Sequence, residues 1–237
     1  MLAFLANLDR RWIYLAMALA ALLPLLFPFG LPVQPTGEVE GVYTKINELQ
    51  PGDVVLLTMD FDPASAPELM PMAKAVLRQA MKRRVRVIGA TLWVTGLGLM
   101  DGAFRDVAGE TGAKEGVDWV VLPYVPGAGA LILKLGQNFK GAYPQDINDR
   151  NTTEMEVLRG VETLKDVDFQ VELAAGVPGI GAWLVYGSQK CGYPMAAGCT
   201  SVGAPEWYPY LQSKQIIGLI GGMRGAAEYE QLIDAPM

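Results

Sequence analysis

Apolar and polar residues fall in blocks along this chain, and the period changes from block to block. The first block is a continuous apolar run. No charged side chain lies between Arg11 and Glu38, and 18 of the 22 residues from Trp12 to Val33 are apolar. An unbroken helix of that length would reach about 33 Å, enough for a hydrocarbon layer of about 30 Å. The run therefore predicts a regular helix over 8–23 that serves as a transmembrane anchor. A kinked or unwound stretch over 24–33 is expected to follow, because Pro24, Pro28 and Pro32 each remove a backbone donor. No small-x-small cleavage pattern follows Phe27, so the segment reads as a retained anchor and not as a signal peptide. Arg10 and Arg11 precede it and Glu38 and Glu40 follow it. The positive-inside rule then expects a cytoplasmic amino terminus and an extracytoplasmic main domain.

Beyond residue 37 the pattern alternates between strand-like and helix-like blocks. Val42, Ile46 and Leu49 mark a short helix closed by Pro51-Gly52-Asp53. A continuous apolar run over 54–59 predicts a strand covered on both faces. Ser65 and Glu68 have capping-box spacing, and Leu69, Met72, Ala73, Val76 and Ala80 mark the face of the helix that follows. Further strands are expected over 85–93, 118–124, 167–174, 194–200 and 215–220. Further helices are expected over 99–112, 154–165, 180–190 and 223–233, with a helical stripe at Leu131, Leu135 and Phe139 and a polar loop over 141–153. Such alternation predicts an α/β fold: a single N-terminal transmembrane helix, then a mostly parallel sheet of five or six strands with helices on both faces. The expected division is residues 1–37 as cytoplasmic tip and anchor, and 38–237 as one α/β domain. The layout resembles the large class of Rossmann-like domains, an analogy that carries no function.

Composition narrows the chemistry. The chain has 237 residues, no histidine and a formal charge of −6. Without imidazole there is no Ser-His-Asp or Cys-His nucleophile and no histidine-ligated zinc. The acidic balance argues against a nucleic-acid partner.

Ligands of open parallel sheets bind at the carboxyl ends of the strands. The residues expected there are Asp60, Asp62, Thr91, Tyr124 and Thr200. Asp60 and Asp62, two residues apart, have the spacing for a divalent cation or for acid–base work, and equally for capping a turn. Gly96 and Gly98 lie in a glycine-rich turn, but after the second strand, where a dinucleotide fingerprint does not belong. Gly179 and Gly181 open a helix that could receive an anion. No cofactor is expected. Gly218, Gly222 and Ala226 read either as a strand–turn–helix or as a small-residue helical stripe, and Trp207, Tyr208 and Tyr210 as an aromatic turn that packs or anchors an interface. Cys191 and Cys199 flank an expected strand that would hold them about 26 Å apart, far beyond disulfide reach, so free thiols are expected.

No convincing catalytic set emerges. The leading expectation is a membrane-anchored, non-catalytic subunit of a homo- or hetero-oligomeric assembly, in contact with lipid and with protein partners through the anchor and the α/β domain. The alternative is a membrane-anchored enzyme or a small-ligand or metal-binding domain, with its site around Asp60 and Asp62.

Overall fold

The computed structural model describes residues 9–26 and 34–233. The chain divides into two units, residues 1–33 and 34–237. In the first, helix α1 (Arg10–Leu26) covers 17 residues. Asp9 caps it, its Oδ1 accepting the Arg11 N–H at 3.0 Å. At ~1.5 Å per residue α1 reaches about 25 Å, short of the ~30 Å hydrocarbon layer. Among the described residues no helix is long and apolar enough to cross a membrane. The expected transmembrane anchor is therefore overturned, and with it the single-pass localisation with a cytoplasmic amino terminus and an extracytoplasmic domain. The apolar count was high, but continuous helix length sets the span. The helix runs through Pro24 instead of ending before it. The part of the expected unwound stretch that holds Pro28 and Pro32 lies outside the described residues.

The second unit carries a six-stranded, wholly parallel sheet. Helix α2 (Gly37–Glu48) leads to β1 (Val54–Asp60), α3 (Ala66–Lys82), β2 (Arg86–Ala90), α4 (Gly96–Thr111) and β3 (Trp119–Val121). Short helices α5 (Ala128–Leu135) and α6 (Phe139–Ala142) precede β4 (Phe169–Ala174). A helical segment over 180–191, α7, has a π-helical middle (Trp183–Ser188). Then come β5 (Met195–Cys199), α8 (Ala204–Gln212), β6 (Leu219–Gly221) and α9 (Gly222–Leu232). The strand order is β3-β2-β1-β4-β5-β6. That is the doubly wound order whose direction reverses between β1 and β4, and a crevice opens at such a reversal.

Both faces of the sheet are covered, as the apolar runs require. Val55, Leu57 and Met59 of β1 and Phe169, Val171 and Leu173 of β4 face the layer of α2, α3, α4 and α9. Val54 and Leu56 face the layer of α5, α6, α7 and α8. Two glycines set the fit of α2 on β6. A Cβ at Gly41 would lie 2.5 Å from Ile217 O, and one at Gly218 would lie 2.5 Å from Val42 Cγ2. Gly218 thus serves a strand–turn–helix, with Gly222 at a positive φ of 59° at the turn, and not a helical stripe.

Three local expectations fail. No α-helix forms over 154–165; the chain makes 3-10 turns at Thr152–Glu154, Glu156–Leu158 and Leu164–Asp166. Gly160, at φ 81°, interrupts the run. The expected Ser65–Glu68 capping box is absent, because Ser65 makes no side-chain cap bond and Glu68 accepts the Ser201 N–H and hydroxyl at 2.8 Å each. The third and sixth strands are three residues each, shorter than expected.

Candidate functional site

The second face of the sheet is not purely apolar. Alternation along β1 and β4 puts Thr58, Asp60, Gln170 and Glu172 on it, and the register pairs Thr58 with Glu172 and Asp60 with Ala174. All four are fully buried. Three of them join a hydrogen-bonded track or hub. Tyr193 donates to Gln170 Oε1 at 2.8 Å, and Gln170 Nε2 donates to Thr58 Oγ1 at 2.8 Å.

Asp60 ties three elements together. Its Oδ1 accepts the Leu92 N–H at 2.5 Å and lies 3.2 Å from the Thr91 hydroxyl; its Oδ2 accepts the Trp183 Nε1–H at 3.0 Å. Burial raises the Asp60 pKa to about 6, against the Leu92, Trp183 and Thr91 donors that pull it down. Both carboxyl oxygens of Glu172 are buried without a hydrogen-bond partner. Glu172 is pushed well above its ordinary value, first by burial and then by the charge of Asp60. Of the two, Glu172 is pushed further toward its protonated form, and Asp60, with its N–H donors, is held nearer its charged form. Tyr143, its hydroxyl buried without a partner, is raised by burial and by Asp60.

Above this buried layer, at the carboxyl ends of β4 and β5, lies an open cavity of about 450 Å³. That is within the range of ligand pockets, roughly 300–1,000 Å³. Its floor is the turn after β4, where a Cβ at Gly179 would strike Gly176 O at 2.6 Å and the Ala174 Cβ at 2.7 Å. Glu172 Oε1 lies under the same point, 3.6 Å away. One wall is α7, with Gly181, Val185 and Tyr186; the other is α8, with Glu206, Trp207 and Tyr210. Trp207 and Tyr210 lean together, with ring centroids 5.3 Å apart and an interplanar angle of 43°. Trp93 braces the floor from outside, donating its indole N–H to Pro178 O at 2.5 Å.

The sequence-derived candidates divide on this geometry. Thr200, Gly179 and Gly181 line the cavity. Thr91 is buried beside Asp60 and holds the turn after β2, accepting the Trp93 N–H at 3.0 Å. Asp62 does not join Asp60; its Oδ1 accepts the Ser65 N–H at 3.2 Å, a local turn. Among the described residues no cluster of three or more cysteine or acidic side chains is placed to hold a metal ion. Tyr124 is half-buried and lines no part of this cavity. Gly96 allows α4 to approach β1, since a Cβ there would lie 2.6 Å from Met59 O, while Gly98 faces open space. Cys191 and Cys199 are free thiols, and Cys199 is at the cavity.

Sequence reasoning passed over Glu172, Gln170, Trp183, Tyr186 and Glu206. Polar residues at 170 and 172 inside an otherwise apolar strand were a legible signal for the first two. Nothing in the sequence marked the others.

No family model matches this chain. No curated protein matches it. Among solved structures it is similar to the apo homocysteine methyltransferase MmuM of Escherichia coli, at 12% identity and a TM-score of 0.29, over 80% of this chain and 99% of that one. A likeness that weak carries no argument about fold or function.

Proposed function

We propose that residues 34–237 form a small-molecule binding domain whose site is the cavity at the carboxyl ends of β4 and β5. The observation that carries this reading is the cavity itself: concave, about 450 Å³, walled by aromatic side chains and set at the carboxyl edge of the sheet, one strand beyond the reversal between β1 and β4. The glycine-built floor supports it, because Gly179 lets the turn after β4 close tightly, where a Cβ would strike Gly176 O, and Gly181 leaves room that a side chain would fill. Asp60 and Glu172 act beneath the site as its scaffold. Asp60 fixes Trp183 of α7 and the turn after β2, and Trp93 of that turn holds the floor.

A compound screen by thermal shift tests the proposal. Gly181→Leu is the control, because a Cβ there meets only Trp207 at 3.7 Å, so the larger side chain fills the cavity without striking backbone. Compounds that stabilise the wild type are expected to lose that effect on Gly181→Leu. Equal stabilisation of both proteins, or none of the wild type by any compound, would count against the site.

A second reading, a non-catalytic subunit of an assembly, has its own support. Val177 and Val202, on the turns after β4 and β5, are 94% and 90% exposed. Exposed apolar tips of this kind suit a protein contact. Solution mass measurement tests it, with a monomer at all concentrations as the contrary result.

A further inference from the structure

The cavity proposed above as a ligand site also carries a charge preference, and the inference that follows rests on that reading. No lysine or arginine lines it, and its one formally charged lining residue is Glu206. Among the described residues the Glu206 carboxylate has no ion-pair or hydrogen-bond partner, although four arginines elsewhere in the domain hold carboxylates at 2.5–2.9 Å. Trp207 follows it in the chain and Tyr210 lies one turn further along α8, so an acid and two π-faces share one wall.

We infer that the cavity takes an organic cation, an ammonium or quaternary ammonium head on an apolar body, held by Glu206 and the faces of Trp207 and Tyr210. Aromatic faces attract cations through the ring quadrupole, and the attraction grows where water is excluded. The apolar remainder of the ligand would lie against Val185 and Tyr186 of the opposite wall.

The field in the cavity agrees. The Cys199 thiol is pushed up to about 12, first by burial and then by the charges of Glu68 and Glu206. A group on the cavity lining thus senses negative potential from two carboxylates. The opposing feature would be a helix N-terminus receiving an anion, and two helices begin at the cavity. At α7 the Ala182 and Trp183 N–H groups both bond Gly179 O, and no cationic side chain stands beside them to second an anion. The first-turn donors of α8 are already spent: Ala204 N–H on Thr200 O, Glu206 N–H on Gly203 O, and none on Pro205.

Calorimetric titration of the full-length chain with three probes of one shape tests the inference: choline, its uncharged isostere neohexyl alcohol, and the anion tert-butylacetate. Choline is expected to bind about tenfold more tightly than the alcohol. Glu206→Gln, a change at an exposed position, should weaken choline severalfold and leave the alcohol unchanged; Trp207→Ala should weaken choline as well, with circular dichroism confirming that both variants fold. Equal binding of alcohol and choline, or tightest binding of the anion, would overturn the charge assignment while leaving the cavity a binding site. No heat from any probe would also overturn the cationic assignment, and the compound screen with Gly181→Leu then judges the cavity separately.

Discussion

Asp60 and Glu172 show how a single pair of side chains couples stability to pH. Both carboxyls are fully buried, and no cation neutralises them among the described residues. Asp60 rises from 3.8 to about 6 in the folded protein. The folded state thus binds more protons than the unfolded chain between these values. The stabilisation is present below pH 4 and is lost as pH rises through 6, amounting to about 3 kcal/mol for Asp60 alone. Glu172, raised further, extends the loss to higher pH. Replacing Glu172 by Gln removes its ionisation and keeps its shape. The variant is expected to unfold with a flatter pH dependence above pH 6 and to be no less stable than wild type at pH 8, as denaturant titrations at several pH values will read. A steeper dependence in the variant would contradict the pairing. The polar positions 170 and 172 were visible in the sequence; their union with Asp60 was not, because the partners are more than a hundred residues apart.

At the scale of elements, glycine spacing does not distinguish two roles that contact geometry separates. Gly96 and Gly98 look equivalent in the glycine-rich turn after β2. The first seats α4 against the end of β1, with Met59 O 2.6 Å from its absent Cβ; the second faces solvent. Gly96→Ala is expected to destabilise the domain by about 1–3 kcal/mol, the usual cost of overpacking. Gly98→Ala should stabilise it by about 0.5–1 kcal/mol through helix propensity. Chemical denaturation of the two variants checks both signs. Elements with strong patterns matched expectation most closely: β1, β4 and β5 are interior strands, marked by a nearly unbroken apolar run in β1, by small and apolar residues in β5 and by apolar positions alternating with Gln170 and Glu172 in β4. The edge strands β3 and β6 are three residues long, because each pairs on one side only. The segment over 154–165 carries apolar residues at helical spacing, yet Gly160 at positive φ and the Thr163–Asp166 capping box divide it into turns.

For the whole molecule, the two units are separate in organisation. The core of residues 34–233 is closed by its own ties. The Glu228 carboxylate on α9 accepts the Thr36 N–H and hydroxyl, at 3.0 and 2.7 Å, anchoring the start of α2. Residues 34–237 produced alone are therefore expected to unfold in one cooperative transition with an m-value proportionate to their own size, measured by circular dichroism in urea. A broad transition, or failure to fold, would show that the first 33 residues contribute to the core.

The sequence by itself determined the layers. Runs of apolar residues bounded by turns dictate strands buried on both faces, alternation with amphipathic helices dictates a parallel sheet, and the absence of histidine removes imidazole chemistry. The tertiary structure alone decided how far the first helix extends, which buried carboxyls act on one another and which walls line a cavity. Tyr186 follows β4, Thr200 and Glu206 follow β5, and the pairing of β4 with β5 brings the two connections to one edge. Periodicity records what each residue faces within its own element; meeting across elements depends on packing, which local spacing does not encode.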